Sequence, residues 1–366
     1  MTLNRFLTCL CSLMVASVAF SLPGASQTMS GVDTEAIIAT MDRLSINVPM
    51  SVAGRDPVRR FLEELSRERC DQKAIADLGV ALDKVGYRRE AATAHVSYSA
   101  TCGGHAPSLR AAVNILLKLS DYTTAVTVAS NLIKLEPFND NGYYLRAVAH
   151  DRGGSPKKAI DDYVTAIELF GNKDRIASVS YFAMARSYEK LGQFCDAILP
   201  IETWVSLNPL RNDTSQTRAI IADYIAKGRC EAATASGEEV FAISRQNNLV
   251  KLPVTINGVR GNLVLDTGAS FVSLKSTFAE KAKVQIDQDS SVRLHTANGI
   301  TDGKRGRAAT IQLRSLQAKD VLVVVQPDSQ GTYGEGVDGL LGMSFLSRFK
   351  VTIDKQAVKI SGRKSK

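Results

Sequence analysis

The sequence predicts a multidomain fold, a solenoid of α-helical hairpins followed by an all-β domain. Alanine recurs at a 34-residue interval between Cys70 and Cys230, and such a period is typical of stacked helical repeats. After residue 239 the apolar residues alternate instead, and Asn-Gly pairs separate the alternating segments, as in β-hairpins. The length of 366 residues also exceeds that of one ordinary domain.

Residues 1–26 have the three parts of a secretory signal peptide. Arg5 precedes an apolar run from Phe6 to Phe20, and small residues follow as far as Ser26. The run is shorter than the ~20 apolar residues of a membrane span, and an uncleaved anchor is the alternative interpretation. We therefore expect an exported protein that keeps no stable membrane span after cleavage.

The composition argues against several classes of function. A net charge of +8 and a hydrophobic share of 45% describe a mildly basic globular protein. Zinc-finger spacing and the aromatic and basic pattern of RNA-binding domains are missing, so we expect no nucleic-acid partner. The four histidines are scattered without a known metal-ligand spacing, and no nucleotide-binding loop occurs. We therefore expect no metal and no organic cofactor.

Residues 27–55 show weak periodicity and are predicted to form a linker or a loose helix. Residues 56–230 repeat, with three alanines spaced at 34 residues and a fourth after 38 more: Ala91, Ala125, Ala159 and Ala197. A glycine lies five residues before three of these alanines, and a residue no larger than valine lies twelve residues before each. Small residues let two helices approach closely, and glycine permits the turn between them.

Proline marks the predicted end of a repeat, since Pro137 and Pro209 each lie twelve residues after one of the alanines. This spacing resembles the tetratricopeptide repeat, a helix-turn-helix unit of 34 residues. The resemblance covers residues 56–230 and implies a solenoid whose surface binds a protein partner.

Four cysteines remain after the signal segment. In helical hairpins Cys70 begins one hairpin and Cys102 ends it, while Cys195 begins a later helix and Cys230 ends the next one. Because antiparallel neighbours bring these ends together, we predict the disulfides Cys70–Cys102 and Cys195–Cys230. Four buried free thiols are the alternative, and the spacing disfavours a zinc site.

Residues 231–239 are small and polar and are predicted to be a linker. Residues 240–362 are predicted to form a compact all-β domain, and residues 363–366 a basic tail. Within the β-domain, an apolar strand leads into Asp266-Thr267-Gly268, and Ala269-Ser270 follows. About seventy residues later comes a second apolar pair with a glycine, Leu340-Leu341-Gly342.

These elements resemble the retropepsin-like aspartic proteases, especially the exported bacterial members. The resemblance implies an acid-protease β-barrel in which Asp266, Thr267 and Gly268 form the catalytic triplet. Leu340, Leu341 and Gly342 correspond to the element that packs beneath the catalytic turn. The flap hairpin corresponds to about residues 294–303, and the residues assigned to substrate contact are Ala269, Thr296, Ala297, Asn298 and Gly299.

The chemistry of such a site requires two carboxylates that share one proton, one activating water and the other stabilising the oxyanion. The chain supplies one such turn, because Asp338 and Asp354 are not followed by Thr-Gly or Ser-Gly. The family arrangement therefore implies a homodimer with Asp266 from each subunit at the two-fold axis. The chain departs from the retroviral pattern at Met343 and Ser344, where those enzymes have Arg and then Asn or Asp. The ion pair that this Arg supports in the retroviral dimer is therefore absent here.

The leading hypothesis is an exported, periplasmic endopeptidase that cleaves proteins or peptides, with helical repeats that recruit a substrate or a partner. The alternative is a non-catalytic adaptor that keeps the protease fold. An inert β-barrel with an ordinary strand-ending turn is the remaining interpretation. Ala269 cannot donate a hydrogen bond to the aspartate, so we expect activity to extend towards weakly acidic or neutral pH.

Overall fold

The computed structural model describes residues 31–170, 178–231, 233–243, 249–296, 299–328, 333–354 and 356–362. Helices occupy the first part of the chain. Their bounds are α1 Gly31–Arg43, α2 Met50–Ala53, α3 Val58–Arg67, α4 Gln72–Lys84, α5 Arg88–Thr101, α6 Ala106–Lys118, α7 Tyr122–Leu135, α8 Asp140–Arg152, α9 Pro156–Leu169, α10 Ser178–Lys190, α11 Phe194–Leu207, α12 Pro209–Asn212 and α13 Ser215–Gly228.

The alanine repeat lies at the contact between paired helices. α4 to α11 form four antiparallel hairpins, and the four repeat alanines are all fully buried on the second helix of each. The residues twelve positions earlier are buried on the first helix: Gly79, Val113, Ala147 and Ala185. At Gly79 an added Cβ would lie 2.3 Å from His95 Nε2, so the two helices leave no room for a side chain there.

The turn inside each hairpin uses left-handed backbone. Gly86, Gly154 and Gly192 have φ of 92°, 79° and 71°, and Ser120 adopts 58° at the equivalent position of the second hairpin. Three of the four turns therefore use the residue that adopts this conformation without steric cost. Pro137 and Pro209 each follow the last residue of a second helix by two positions.

The helical domain begins earlier than the sequence indicated. Residues 27–55 were expected to be a linker or a loose helix, yet α1 packs against α3, and Ile37 and Leu44 are almost fully buried. The weak periodicity arises because α1 and the loop after it bury separate small groups of side chains. From Gly31 onward this segment covers the first end of the solenoid.

Both disulfides join the predicted pairs. Cys70–Cys102 spans the hairpin of α4 and α5, with a Cα–Cα distance of 5.6 Å. Cys195–Cys230 joins α11 to the end of α13, with a Cα–Cα distance of 5.5 Å. Each bond therefore closes an antiparallel pair of helices, as the hairpin argument requires.

The second part of the chain is mainly β-structure. Its elements are β1 Thr234–Ala235, β2 Glu238–Ala242, β3 Lys251–Ile256, β4 Val259–Leu265, β5 Val272–Lys275, α14 Ser276–Lys281, β6 Gln285–Ile286, β7 Val292–Thr296, β8 Gly299–Leu313, β9 Leu316–Gln326, β10 Gly339–Leu341, α15 Met343–Leu346, β11 Phe349–Ile353 and β12 Ala357–Gly362.

Strand pairing closes a barrel around an apolar core. The order is β9-β5-β10-β4-β3-β8, and β8 pairs back onto β9. β1 and β6 extend the sheet, β7 pairs with β8, and a separate sheet has the order β11-β12-β2. Leu263, Val272, Ile311, Val323 and Leu341 are fully buried in the barrel core.

Residues 231–239 were predicted to be a linker, but β1 and the first residues of β2 lie in this segment. β1 pairs with β9, and β2 pairs antiparallel with β12. The Glu239 carboxylate accepts a hydrogen bond from the Ser315 hydroxyl at 2.6 Å. These short polar strands are fixed by pairing to distant parts of the chain, which composition alone cannot show.

The helical and β domains share a continuous core. Phe271, Val292, Leu294, Leu322 and Val324 of the β-domain are buried in one cluster with side chains of α8 to α11. The helical partners include Val164, Ile167, Tyr181, Met184 and Leu199. The β-domain is therefore packed on the repeats through an apolar interface rather than tethered to them.

Candidate active site

Asp266 lies at the end of β4, where three strands meet. β10 runs parallel to β4, with Leu341 opposite Leu265, and antiparallel to β5. The Asp266 backbone N–H donates to the Leu341 carbonyl at 3.1 Å. The strand before the turn is thus held in register by β10 up to the aspartate itself.

The segment after β10 holds the other limb of the turn. The Met343 N–H donates to the Ala269 carbonyl at 2.8 Å, and the Ser344 N–H donates to the Ser270 carbonyl at 3.0 Å. At Gly342 an added Cβ would lie 2.1 Å from the Phe271 carbonyl oxygen, so only glycine allows this approach. Leu340, Leu341 and Gly342 therefore contact both strands that carry the turn.

Ser344 has a specific role at this junction. Its hydroxyl accepts a hydrogen bond from the Val272 N–H at 2.8 Å, and the side chain is buried. The residue that replaces the retroviral Asn or Asp therefore ties the returning strand to α15 within one chain.

The carboxylate of Asp266 is stabilised by the turn that it begins. Its Oδ1 accepts a hydrogen bond from the Gly268 N–H at 2.8 Å. Asp266 is half-buried, whereas Thr267 and Gly268 are exposed at the tip of the turn. The turn thus holds the carboxylate in place beside an exposed tip.

The other acids considered in the sequence have structural partners. Asp338 Oδ2 accepts a hydrogen bond from the Asn262 N–H at 2.8 Å, behind the strands. Asp354 Oδ1 accepts hydrogen bonds from the N–H groups of Gln356 and Ala357, both at 2.8 Å, in the final hairpin. Neither acid lies in a turn like that of Asp266.

The hairpin of β7 and β8 corresponds to the proposed flap. Thr296 pairs with Gly299, which has a φ of 108°. Ala297 and Asn298, assigned to substrate contact, lie outside the described residues, as does the side chain of Thr296. Ala269 is half-buried on the return limb of the catalytic turn.

The helical repeats contact the turn that begins with Asp266. The Ser270 hydroxyl donates a hydrogen bond to the Glu168 carboxylate of α9, and both side chains are buried, at 8% and 7% exposure. Phe271, the next residue, is buried against α9 to α11. Sequence reasoning missed this contact because it treated the two domains separately. The sequence of α9 is amphipathic, and Asp161 and Glu168 lie on its polar side, so no pattern marked that side as buried.

The flap strand β7 is attached to the same helix. The Arg293 N–H donates to Thr165 Oγ1 at 2.9 Å. The Arg293 guanidinium donates to Tyr143 Oη of α8 at 3.0 Å and pairs with Asp302 of β8 at 2.8 Å. The base of the flap is therefore held by α8 and α9.

Two further Arg-carboxylate pairs cross the interface. Arg305 of β8 pairs with Asp161 of α9. Arg307 of β8 pairs with Asp196 of α11, and the distance from Arg307 Nη1 to Asp196 Oδ1 is 3.1 Å. Burial raises the pKa of Asp161 to about 6, against the lowering effect of the Arg305 guanidinium. The Arg307–Asp196 pair is bidentate, and because such contacts are directional it helps to orient the barrel on the solenoid.

A groove of about 580 Å³ separates the turn after α7 from the flap. Pro137 and Phe138 form one side, and residues 299–302 with Arg293 form the other. Phe138 is 64% exposed, so this groove has a large apolar side chain at its rim.

No helix among the described residues has the length and apolar character needed to cross a membrane. Within the same residues, no cluster of three or more His, Cys, Asp or Glu side chains is arranged to hold a metal ion.

Residues 252–348 match the family model described as "gag-polyprotein putative aspartyl protease". No curated protein shows a significant sequence match to the chain. Among solved structures, a retropepsin-like aspartic protease from Rickettsia conorii is 24% identical, with 34% of this chain and 91% of that chain covered and a TM-score of 0.28.

Two helical proteins match the first part of the chain. A MamA structure from Desulfovibrio magneticus RS-1 is 17% identical, with 50% of this chain and 99% of that chain covered and a TM-score of 0.37. A thermophilic TPR protein of Thermus thermophilus is 15% identical, with 53% of this chain and 99% of that chain covered and a TM-score of 0.34. The chain therefore combines tetratricopeptide-like helical hairpins with a retropepsin-like β-barrel, of which residues 252–348 match the aspartyl protease model.

Proposed function

We propose that the protein is an exported aspartic endopeptidase that works as a homodimer, with one Asp266 from each subunit. The main support is the geometry of the turn, which holds the Asp266 carboxylate through the Gly268 N–H and leaves Thr267 and Gly268 exposed. A two-fold axis at this tip would bring the two carboxylates together.

The proposed reaction is the hydrolysis of a peptide bond by one activated water. Two neighbouring carboxylates share a proton, because both cannot ionise at low free-energy cost. The ionised member takes a proton from water as the water attacks the carbonyl carbon, and the protonated member donates to the oxyanion. Thr267 supports the pair from across the axis, and no cofactor takes part.

Substrate is proposed to lie between the turn and the hairpin of β7 and β8. The proposal assigns substrate contacts to Ala269, Thr296, Ala297, Asn298 and Gly299. Leu340, Leu341 and Gly342 support the turn through the backbone contacts described above. The helical repeats are proposed to bind a substrate or a partner on surfaces that the barrel leaves free.

Export, with the periplasm as the destination, is part of the proposal. The two disulfides are compatible with an oxidising compartment, where such bonds form and persist. The apolar segment at residues 6–20 is the proposed export signal.

The test compares the mature protein with its Asp266→Asn variant on a diverse peptide mixture, from pH 4 to 7.5 and at low and high protein concentration. We expect Asp266→Asn to lower turnover by ~10³-fold or more, because general acid and base catalysis are both lost. Its unfolding free energy should change by about 1 kcal/mol or less, because the side chain is half-exposed and Asn can still accept the Gly268 hydrogen bond. Specific activity of the wild type should rise with concentration.

Equal cleavage by the wild type and by Asp266→Asn would disprove the proposal. Absence of cleavage at every concentration, together with partner binding that Asp266→Asn does not change, would instead support the adaptor alternative.

A further inference from the structure

The strongest unassigned feature near the catalytic turn is the buried contact between Ser270 and Glu168. The two residues are 102 positions apart, and each comes from a different domain. A carboxylate buried to this degree is costly unless hydrogen bonds stabilise it, and the Ser270 hydroxyl supplies one such bond. The contact is therefore a fixed part of the folded protein.

Ser270 lies on the limb of the turn that returns from Asp266 into the barrel. On one side, the first two N–H groups of α15, from Met343 and Ser344, donate to the carbonyls of Ala269 and Ser270. On the other side, Glu168 holds the Ser270 side chain, and the next residue, Phe271, is buried among α9 to α11. The return limb is thus enclosed between α15 and the solenoid.

The position of Glu168 is itself determined by contacts along α9. Thr165, almost one turn earlier, accepts the Arg293 N–H of β7, and Asp161 pairs with Arg305 of β8. Both contacts lie between the same helix and the β-domain. α9 therefore places Glu168 relative to the flap strand and the catalytic turn at the same time.

We propose that Glu168 is a positioning residue for the catalytic turn, acting through Ser270, so that the helical repeats form part of the catalytic unit. This inference rests on the proposed function of Asp266. Glu168 does not touch the reacting atoms. It restricts the return limb, and thereby the direction in which the Asp266 carboxylate points towards its partner at the two-fold axis.

The test uses the full-length mature protein and a peptide that the wild type cleaves but Asp266→Asn does not. Glu168→Ala and Ser270→Ala should each lower kcat at least tenfold and change KM less than twofold. Glu168→Gln should keep kcat within about threefold of the wild type, because its amide oxygen can accept the Ser270 hydroxyl. The double variant Glu168→Ala/Ser270→Ala should lose no more than either single variant, since both remove one interaction.

Asp196→Asn is the matched control. It also changes a buried acid of the helical domain that contacts the β-domain, but its partner Arg307 is on β8 and not on the catalytic turn. Its kcat should stay near that of the wild type. A loss in Asp196→Asn equal to that in Glu168→Ala would overturn the inference, because domain packing in general would then explain both.

Hydrogen exchange of the amides in residues 266–272 gives a readout that does not depend on turnover. Exchange should be at least tenfold faster in Glu168→Ala and Ser270→Ala, and unchanged in Asp196→Asn. Unchanged exchange and unchanged kcat in folded Ser270→Ala would overturn the inference, even if Glu168→Ala does not fold. If the wild type cleaves nothing, the proposed function fails, and the exchange result alone decides whether Glu168 orders the turn.

Discussion

Ala269 follows Asp266-Thr267-Gly268 and carries a methyl group, which cannot donate a hydrogen bond to a carboxylate. Its backbone is fixed by the Met343 N–H, so a serine at this position would keep the same place in the turn. A hydroxyl that donates to a carboxylate favours the ionised form. Alanine at position 269 therefore leaves the pKa values of a pair of aspartates higher than serine would, which moves the pH range of activity towards neutral.

We predict that Ala269→Ser shifts the pH-rate profile of the paired aspartates towards acid by about one pH unit. The wild type should remain active at weakly acidic to neutral pH, measured as kcat/KM between pH 3 and 8. The wild type is the reference, because serine differs from alanine only by one added oxygen atom. A wild type that is active only below about pH 4 would contradict this expectation.

At the level of single residues, the sequence allowed part of the site to be predicted. Asp266, Thr267 and Gly268 stand out because a strand leads into an acid and a glycine, which is a local pattern. Gly342 packs against the turn, as the resemblance to the retropepsin-like proteases implied. Glu168 could not be predicted, because its partner Ser270 is 102 residues away and no local pattern links them.

The helical hairpins contain a buried titratable group that the barrel does not touch. His95 of α5 is 4% exposed, its Nδ1 lies 3.3 Å from Ser108 Oγ, and its Nε2 faces Gly79 of α4. Burial lowers the pKa of His95 to about 4, and His105 acts in the same direction. His95 is therefore neutral in the folded hairpin over most of the acidic range.

We predict that this hairpin loses stability as the pH falls from about 6.5 towards 4. The unfolded chain binds a proton on His95 near pH 6.5 whereas the folded chain does so near pH 4, so protonation favours unfolding in this window. The loss can reach about 3 kcal/mol at the acidic end. Thermal melting between pH 4 and 7 checks this, with His95→Gln as a comparison that should show a flatter pH dependence. An identical dependence in both proteins would refute the assignment to His95.

At the level of elements, periodicity predicted the helical hairpins of the repeats and the hairpins of the β-domain. The 34-residue repeat places its alanines on the second helices, and Asn257-Gly258 joins β3 to β4. The short strands β1, β2, β6 and β10 were missed, because two to five residues carry too little pattern. Their conformation depends on pairing with distant strands, as for β10 between β4 and β5.

At the level of the whole molecule, the interface between the domains combines an apolar core with buried ion pairs. Asp196 is 6% exposed and faces Arg307. Breaking one partner of such a pair leaves an uncompensated charge, and this typically costs about 3–5 kcal/mol. The interface should therefore respond to charge more strongly than a surface ion pair would.

We predict that Asp196→Arg and Arg307→Asp each lower the melting temperature by several degrees, and that the double swap recovers part of the loss. Like charges would face each other in each single variant, and the swap restores attraction. Calorimetry and limited proteolysis of the full-length protein provide the measurement. Wild-type melting of both single variants would show that the pair does not contribute to docking.

The arrangement of two domains in one body could not be read from the sequence. The composition of residues 231–239 suggested separation, whereas Phe271 and Leu294 are buried against the solenoid. Apolar residues in a strand show only that the strand is buried, and they do not identify the covering element.

The contact of α9 with β7 has a consequence for how the chain is made. Among the described residues β7 pairs with β8 alone, so its other edge would be an unpaired strand edge, which is a known route to aggregation. Thr165 occupies this edge, and the neighbouring apolar side chains are covered by α9 to α11. Helices emerge from the ribosome before the barrel, and N-terminal domains generally fold first. A solenoid that has already folded would cover this strand edge as soon as the hairpin forms.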